Sequence, residues 1–319
     1  MIGAMQSALV GVRNMERALA LFRDVLKLTV EHDGPASASL IAAWGLPAGS
    51  AARVVELSHE GYPIGRLRLA QFDPQPKAYV RLDDGGGDGP QDVGPKAVDF
   101  YVADPIGPMV TAVERAGYVF RSLPIKHQIG QSISEECLFS GPDGVPILLM
   151  VGHQHPAHSL RRQPPPGVAS EIATVSAIAG DLDATRAFYE GGLGLKAVTD
   201  AETPPDYRDL VSKLVGVPAG SRVHFLLYAA EGEPSGKILL VHFFERTGKR
   251  LTGRMRPGHL GFSLLIHETD DLDGLMRWCT DNGHDVVTPP TDVDDLDGAK
   301  RMALVRGPNE EMFQFTERQ

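Results

Sequence analysis

This chain of 319 residues predicts an α+β fold made of two duplicated halves, on three observations. Residues 13–28 (RNMERALALFRDVLKL) and 180–195 (GDLDATRAFYEGGLGL) read as one helical segment written twice, each preceded by an apolar, β-like run. Gly45-Leu46-Pro47-Ala48-Gly49-Ser50 is answered by Gly216-Val217-Pro218-Ala219-Gly220-Ser221, and Gly141-Pro142-Asp143-Gly144 by Gly307-Pro308-Asn309-Glu310. The offsets stay within 166–171 residues, far beyond the roughly 20–50 residues of a solenoid repeat, so whole domains are duplicated. Third, each half is itself doubled: strand, helix, several antiparallel strands, and the same again. Mostly hairpin links argue α+β over a doubly wound parallel sheet.

The elements follow in the same order in both halves. Leu9-Val10-Gly11-Val12 and Thr174-Val175-Ser176-Ala177-Ile178 read as first strands. Asn14 and Asp181 stand where an N-cap belongs, each followed two residues later by an acid suited to the positive end of a helix. Met15, Leu19, Phe22 and Leu26 share one helical face, as do Leu182, Phe188, Tyr189 and Leu193. A second helical stretch (38–44; 207–215) ends at the Gly-x-Pro turn. Two β runs follow, 53–57 and 66–72 in the first half, 222–228 and 237–244 in the second. Then come another strand (97–102; 259–266), another helix (109–116; 272–281), and a closing hairpin around the Gly-Pro turn.

Composition bounds the rest. A 42 % hydrophobic, 23 % charged chain is that of an ordinary globular protein, and each half is long enough to bury a core. The formal charge of −10 argues against nucleic acid or an anionic membrane as partner, since both select basic surfaces. Cys137 and Cys279 occupy unmatched repeat positions, which suits structural thiols in a reducing compartment. There is no signal-like segment and no apolar run of membrane-spanning length, so a cytoplasmic location is expected. Domain one is expected over 1–151, a Pro-rich linker with His153, His155 and His158 over 152–167, and domain two over 168–319.

The pattern Asp181-Leu182, Phe188-Tyr189, Leu193-Gly194-Leu195 with Gly307-Pro308-Asn309 resembles the vicinal oxygen chelate superfamily, which includes glyoxalase I, extradiol dioxygenases and bleomycin-resistance proteins. Domain one is a looser match through Asn14-Met15, Leu21-Phe22, Leu26-Lys27-Leu28 and Gly141-Pro142-Asp143-Gly144. The resemblance implies four βαβββ modules forming two tandem glyoxalase-like half-open barrels, each with a ligand-holding cup.

Metal-dependent members of that family place His on the first strand, His or Gln on the fifth and Glu on the last, leaving open positions for two substrate oxygens. Those positions fall on Thr174, His259 and Gln314 in domain two, and on Ser7, a residue near Ala97, and Leu148 in domain one. Thr, His and Gln bring no negative charge, so no cofactor is expected; an iron or manganese ion would rest on His259 alone. The resemblance thus makes domain one scaffold and domain two the site. His259 and His242 are the candidate catalytic residues, with Thr174, Gln314, Tyr228 and His224 binding substrate; a switchable imidazole in an apolar cup suits a general base. The expected function is that of an enzyme acting on a small apolar or aromatic carbonyl or phenolic compound by isomerase, lyase or dioxygenase-like chemistry. The alternative is a non-catalytic, drug-sequestering binding protein. The partner is a small-molecule ligand, and a homodimer stays open. Three other polar features read as bland: 291–298 (TDVDDLDG) as a solvated loop lacking calcium-loop residues, Gly85-Gly86-Gly87 as a flexible connection, and Glu135-Glu136 as an exposed strand end.

Overall fold

The computed structural model describes residues 2–82, 87–154 and 163–318. The first module comprises β1 (Ile2–Gly11), α1 (Met15–Leu19), β2 (Thr29–Pro35), α2 (Ala38–Ala43), β3 (Ala51–Ser58) and β4 (Arg66–Asp73). The second holds β5 (Gly94–Val102), α3 (Gly107–Arg115), β6 (Ile125–Ile129), β7 (Ser132–Ser140) and β8 (Pro146–Gln154). The third holds β9 (Ala169–Ile178), α4 (Leu182–Arg186), β10 (Lys196–Glu202), α5 (Arg208–Val215), β11 (Val223–Ala229) and β12 (Lys237–Phe243). The fourth holds β13 (Gly261–Thr269), α6 (Leu272–Asp281), β14 (Asp285–Asp292), β15 (Arg301–Arg306) and β16 (Met312–Glu317). These are the four expected βαβββ modules. Among the described residues no helix is long and apolar enough to cross a membrane.

Local chemistry sets the helix starts. The Asn14 side chain accepts the Arg17 N–H at 3.0 Å, and that of Asp181 accepts the Ala184 N–H at 2.9 Å, satisfying donors that have no intrahelical partner. Both helices then widen into π-type turns, over Ala20–Val25 and Ala187–Gly192. The outward faces of the sheets and the helices share one core, in which Phe22 meets Phe100 and Phe188 meets Phe313.

The pairing of modules corrects the expected domain plan. Two eight-stranded sheets form, in the orders β14-β15-β16-β13-β1-β4-β3-β2 and β10-β11-β12-β9-β5-β8-β7-β6. The first module therefore closes on the fourth, and the second on the third; neither half, 1–151 or 168–319, is a sheet by itself. The seams are antiparallel, β1 with β13 (Ser7↔Ile266) and β5 with β9 (Ala97↔Ser176). The physical reason is that pairing the first strand of a module with its own fourth leaves one edge of that strand open. Any other first strand can fill that edge, and strand periodicity alone does not choose which.

The sheets are knitted at four repeat-related residues. The Gly65 N–H donates to Met5 O at 2.9 Å and the Ile172 N–H to Gly65 O at 2.8 Å. Symmetrically, the Met5 N–H donates to Gly236 O at 3.3 Å and the Gly236 N–H to Ile172 O at 3.2 Å. Both glycines have left-handed backbones (φ 70° and 65°). A Cβ on Gly65 would sit 2.3 Å from Ile172 O, so the crossing requires glycine twice over.

Two further expectations change here. The linker begins later than Gly152, because β8 runs to Gln154 and His153 pairs with Glu135 at 3.1 Å; His155 and His158 lie outside the described residues, as do Gly85 and Gly86. The acidic 291–298 segment is not simply solvated, since Asp295 is buried. Cys137 and Cys279 are buried free thiols, as expected.

Candidate active site

Each sheet curves around a cup, and the two cups differ in kind. Cup one, in the sheet of modules one and four, is filled by charge. Arg68, fully buried on β4, meets Asp295 at 2.8 Å, Asp297 at 2.7 Å and Glu56 at 3.1 Å. Arg66 adds contacts to Glu56 at 2.8 Å and Asp297 at 3.0 Å. Ser7 donates to Glu56 (2.8 Å), Gln314 Nε2 to Asp295 (2.7 Å) and Trp44 Nε1 to Gln314 Oε1 (3.0 Å). Burial opposes ionisation of Glu56, but Arg68 and Arg66 hold its carboxyl below the usual range. Guanidinium groups thus stand where a cation would, and the loop carrying Asp295 and Asp297 plugs the cup.

Cup two, in the sheet of modules two and three, holds a half-open cavity of about 140 Å³. An engineered cavity of roughly 150 Å³ accepts benzene, so this space suits one ring. Its far end is apolar, with Ile178, Phe225, Leu239 and Val241, and α5 covers it with Val211, Leu214 and Val215. The near end is polar. A row of cross-strand neighbours runs Leu138↔Leu148↔Asp99↔Thr174↔Lys237 through β7, β8, β5, β9 and β12. Tyr101, Glu136 and His127 complete it.

The electrostatics of this end are unusual for a barrel wall. Asp99 is 3 % exposed, and its Oδ1 is buried with no hydrogen-bond partner. Burial, assisted by the charge of Glu136, raises its carboxyl well above the ordinary range and so favours the neutral acid. His127 Nε2 lies 3.1 Å from Glu136 Oε2. Burial would depress this imidazole, but Glu136 outweighs it and the net shift is upward. The Tyr101 phenol is raised by burial and by Glu136 and Asp99. All three shifts are upward, and together they favour a neutral carboxyl beside a protonated imidazole, which makes this cleft a functional-site candidate.

The sequence-derived candidates are not brought together. Thr174 alone lines cup two, between Asp99 and Lys237. Gln314 lies in the plugged cup one. His259 precedes β13, its Nδ1 2.9 Å from Arg254 O, and burial depresses it. His242 and His224 are cross-strand neighbours on the sheet face opposite the cavity. His242 Nδ1 is 3.1 Å from Ala179 O, and His224 Nε2 is 2.6 Å from Asp200. Tyr228 faces the helices, stacked on Tyr189 and donating to Glu190 at 2.9 Å. Glu136, expected at an exposed strand end, lies in the cavity wall beside His127. The first half, expected to be scaffold, supplies Asp99, Tyr101, His127 and Glu136. One signal for them was available: an aspartate inside the apolar run 97–102, where strands avoid Asp.

Neither cup fits the family metal. In cup one the carboxylates are already neutralised by arginine. In cup two a neutral acid and a lysine flank Thr174, a donor set that does not hold a dication. Among the described residues no three His, Cys, Asp or Glu side chains are arranged to hold a metal ion.

Residues 171–315 match the profile of the Glyoxalase/Bleomycin resistance protein/Dioxygenase superfamily. Glyoxalase I from Zea mays superposes with a TM-score of 0.61 at 13 % identity, over 98 % of this chain and 92 % of that one. A Bacillus subtilis protein provisionally named a dioxygenase gives 0.62 at 15 % identity, over 99 % and 85 %. These likenesses establish the fold. No curated protein sequence matches significantly.

Proposed function

From a chain whose residues 171–315 belong to the Glyoxalase/Bleomycin resistance protein/Dioxygenase superfamily, we propose a metal-independent proton-transfer enzyme, of isomerase or lyase type, that works in cup two. Its substrate is a ring-sized, largely apolar compound with one carbonyl or phenolic oxygen. The observation that carries this is the buried, unpartnered Asp99 oxygen beside the His127–Glu136 pair, at the polar end of a half-open cavity whose far end is apolar.

A carboxylic acid kept neutral by its surroundings donates a hydrogen bond where a carboxylate cannot. Asp99 would donate to the substrate oxygen and stabilise the negative charge that develops there. Glu136 orients His127 and stabilises its protonated form, leaving Nδ1 to take a proton from the carbon next to the carbonyl. Returning that proton to another carbon gives an isomerase; expelling a neighbouring group gives a lyase. The apolar end and α5 exclude water, which strengthens each polar contact.

The test is deuterium uptake by acetophenone methyl protons in D2O, followed by NMR. Asp99→Asn and His127→Gln should each slow the exchange by about 10²–10⁴-fold. Tight capture with no exchange above the buffer rate would assign the cup to sequestration, the reading favoured by its apolar end.

A further inference from the structure

We propose that Lys237 is a nucleophile of cup two, forming an imine with a small aldehyde or ketone. This rests on cup two being the ligand site and narrows its substrates to electrophilic carbonyl compounds. Lys237 opens β12, is 2 % exposed and lines the cavity, whereas lysines are almost never fully buried. Its Nζ is 5.9 Å from the centre of the Tyr101 ring. Asp99 lies two strands away in the same row, about 10 Å between backbones. A lysine and an acid side chain together can span much of that distance, with a carbonyl group held between them.

The groups facing this amine come from several strands. Glu171 is on β9, and Ser235 donates to it from the turn before β12. Tyr101, Asp99 and Lys96 are on β5, Glu136 on β7 and His127 on β6. Burial lowers the amine to about 8, against the opposing charge of Glu171. Roughly a quarter of it is then unprotonated at pH 7.5, compared with about one part in a thousand for an ordinary lysine. A desolvated lysine in an apolar pocket is an activated amine.

The bookkeeping closes without oxidant or reductant. The Nζ lone pair attacks the carbonyl carbon, a C–N bond forms, and the carbonyl π pair moves to oxygen, which takes the Asp99 proton. The nitrogen gives one proton to Glu171. Glu171 then returns its proton to the hydroxyl, which leaves as one water while the nitrogen lone pair forms C=N; the nitrogen keeps its last proton, and the iminium faces the Asp99 carboxylate. The imine withdraws electrons from the neighbouring carbon, which assists the proton abstraction assigned to His127.

The experiment treats the intact protein with benzaldehyde and sodium cyanoborohydride, which reduces an imine to a stable benzylamine, and maps the modified peptides. At pH 7.5 Lys237 should be labelled at least tenfold faster than any other lysine, with a rate that saturates in benzaldehyde. Labelling no faster than surface lysines, or preferred at Lys96, overturns the assignment. Toluene, a ring without a carbonyl, is titrated alongside by NMR. Toluene bound with Lys237 unlabelled overturns the lysine alone; neither bound nor labelled overturns the ligand site with it. Saturable labelling of Lys237 supports the assignment whatever toluene does. Lys237→Met should keep toluene binding, which reports a folded cup, and lose the label.

Discussion

Replacing Asp99 by leucine should make the protein more stable and less active. The Asp99 Oδ1 has no partner, and a buried polar atom in that state costs about 1–3 kcal/mol. Leucine removes the cost, and its extra volume can enter the adjoining cavity of about 140 Å³ rather than overpack the wall. The carboxyl adds a pH-dependent part, because its folded pKa is raised by burial first and Glu136 second. For an acid raised on folding, the contribution is full below the unfolded value and is lost as pH rises through the folded one. Above pH ~4 the wild type therefore loses about 1.4 kcal/mol per pH unit relative to the variant, until Asp99 ionises in the folded state. Urea unfolding followed by tryptophan fluorescence at pH 5, 6 and 7 measures both parts. The expectation is a gain of at least 1 kcal/mol at pH 5 that grows toward pH 7, with acetophenone exchange abolished. A variant that is less stable than wild type, with no pH dependence of the difference, would show that the carboxyl is satisfied and would refute the buried-acid argument. Glu136→Gln should make the slope end at a lower pH, because Asp99 then ionises sooner in the folded state.

Other perturbations test the frame around this site. Arg68→Met in cup one strands Glu56, Asp295 and Asp297 with only Arg66; urea unfolding should show a loss of about 3–5 kcal/mol, smaller at pH 5, where carboxylates freed of Arg68 take up protons. His267 is buried against Phe313 and Phe315 with Nδ1 3.0 Å from Gly3 O, and burial depresses it to about 4. Its contribution is present above the unfolded value near 6.5 and lost as pH falls toward 4, about 3 kcal/mol in all; thermal melts should show this loss in wild type and less of it in His267→Phe. Gly65→Ala combines an unfavourable φ with a Cβ 2.3 Å from Ile172 O, and calorimetry should register a destabilisation of about 2–4 kcal/mol.

Much of the fold was legible because its signals are local. The caps Asn14 and Asp181, the Gly-x-Pro turns and the alternation of each strand depend on a few adjacent residues, and all appear where the repeats place them. The pairing of modules is a contest between equivalent strand edges far apart in the chain, and no local pattern encodes the winner. That one difference separates the candidate residues. Thr174 and Gln314 were expected to share a cup, yet they fall in different sheets. His259, His242 and His224 drew attention as histidines, but direction along a strand decides function: Lys237, Leu239 and Val241 face the cavity, so His242 faces away. His127 escaped notice and Glu136 was read as an exposed strand end, because they lie on separate strands of a half that holds none of the family's ligands. The acidic loop misled in the opposite sense, since the arginines that neutralise Asp295 and Asp297 stand more than 200 residues earlier.

The seam between β1 and β13 also bears on how the chain reaches this state. Ser7 pairs with Ile266, so β1 leaves the ribosome long before the strand that it joins. Until then β1 carries an open, apolar edge of the kind that promotes association between chains. Modules two and three have no such wait, because β9 follows β8 after a short connection and can complete cup two while the fourth module is still being made. The expected order of assembly is inner sheet first and outer sheet last. Early termination after β12 would therefore leave a formed ligand cup attached to an unpaired first module, which makes the outer sheet the aggregation-sensitive step in producing this protein.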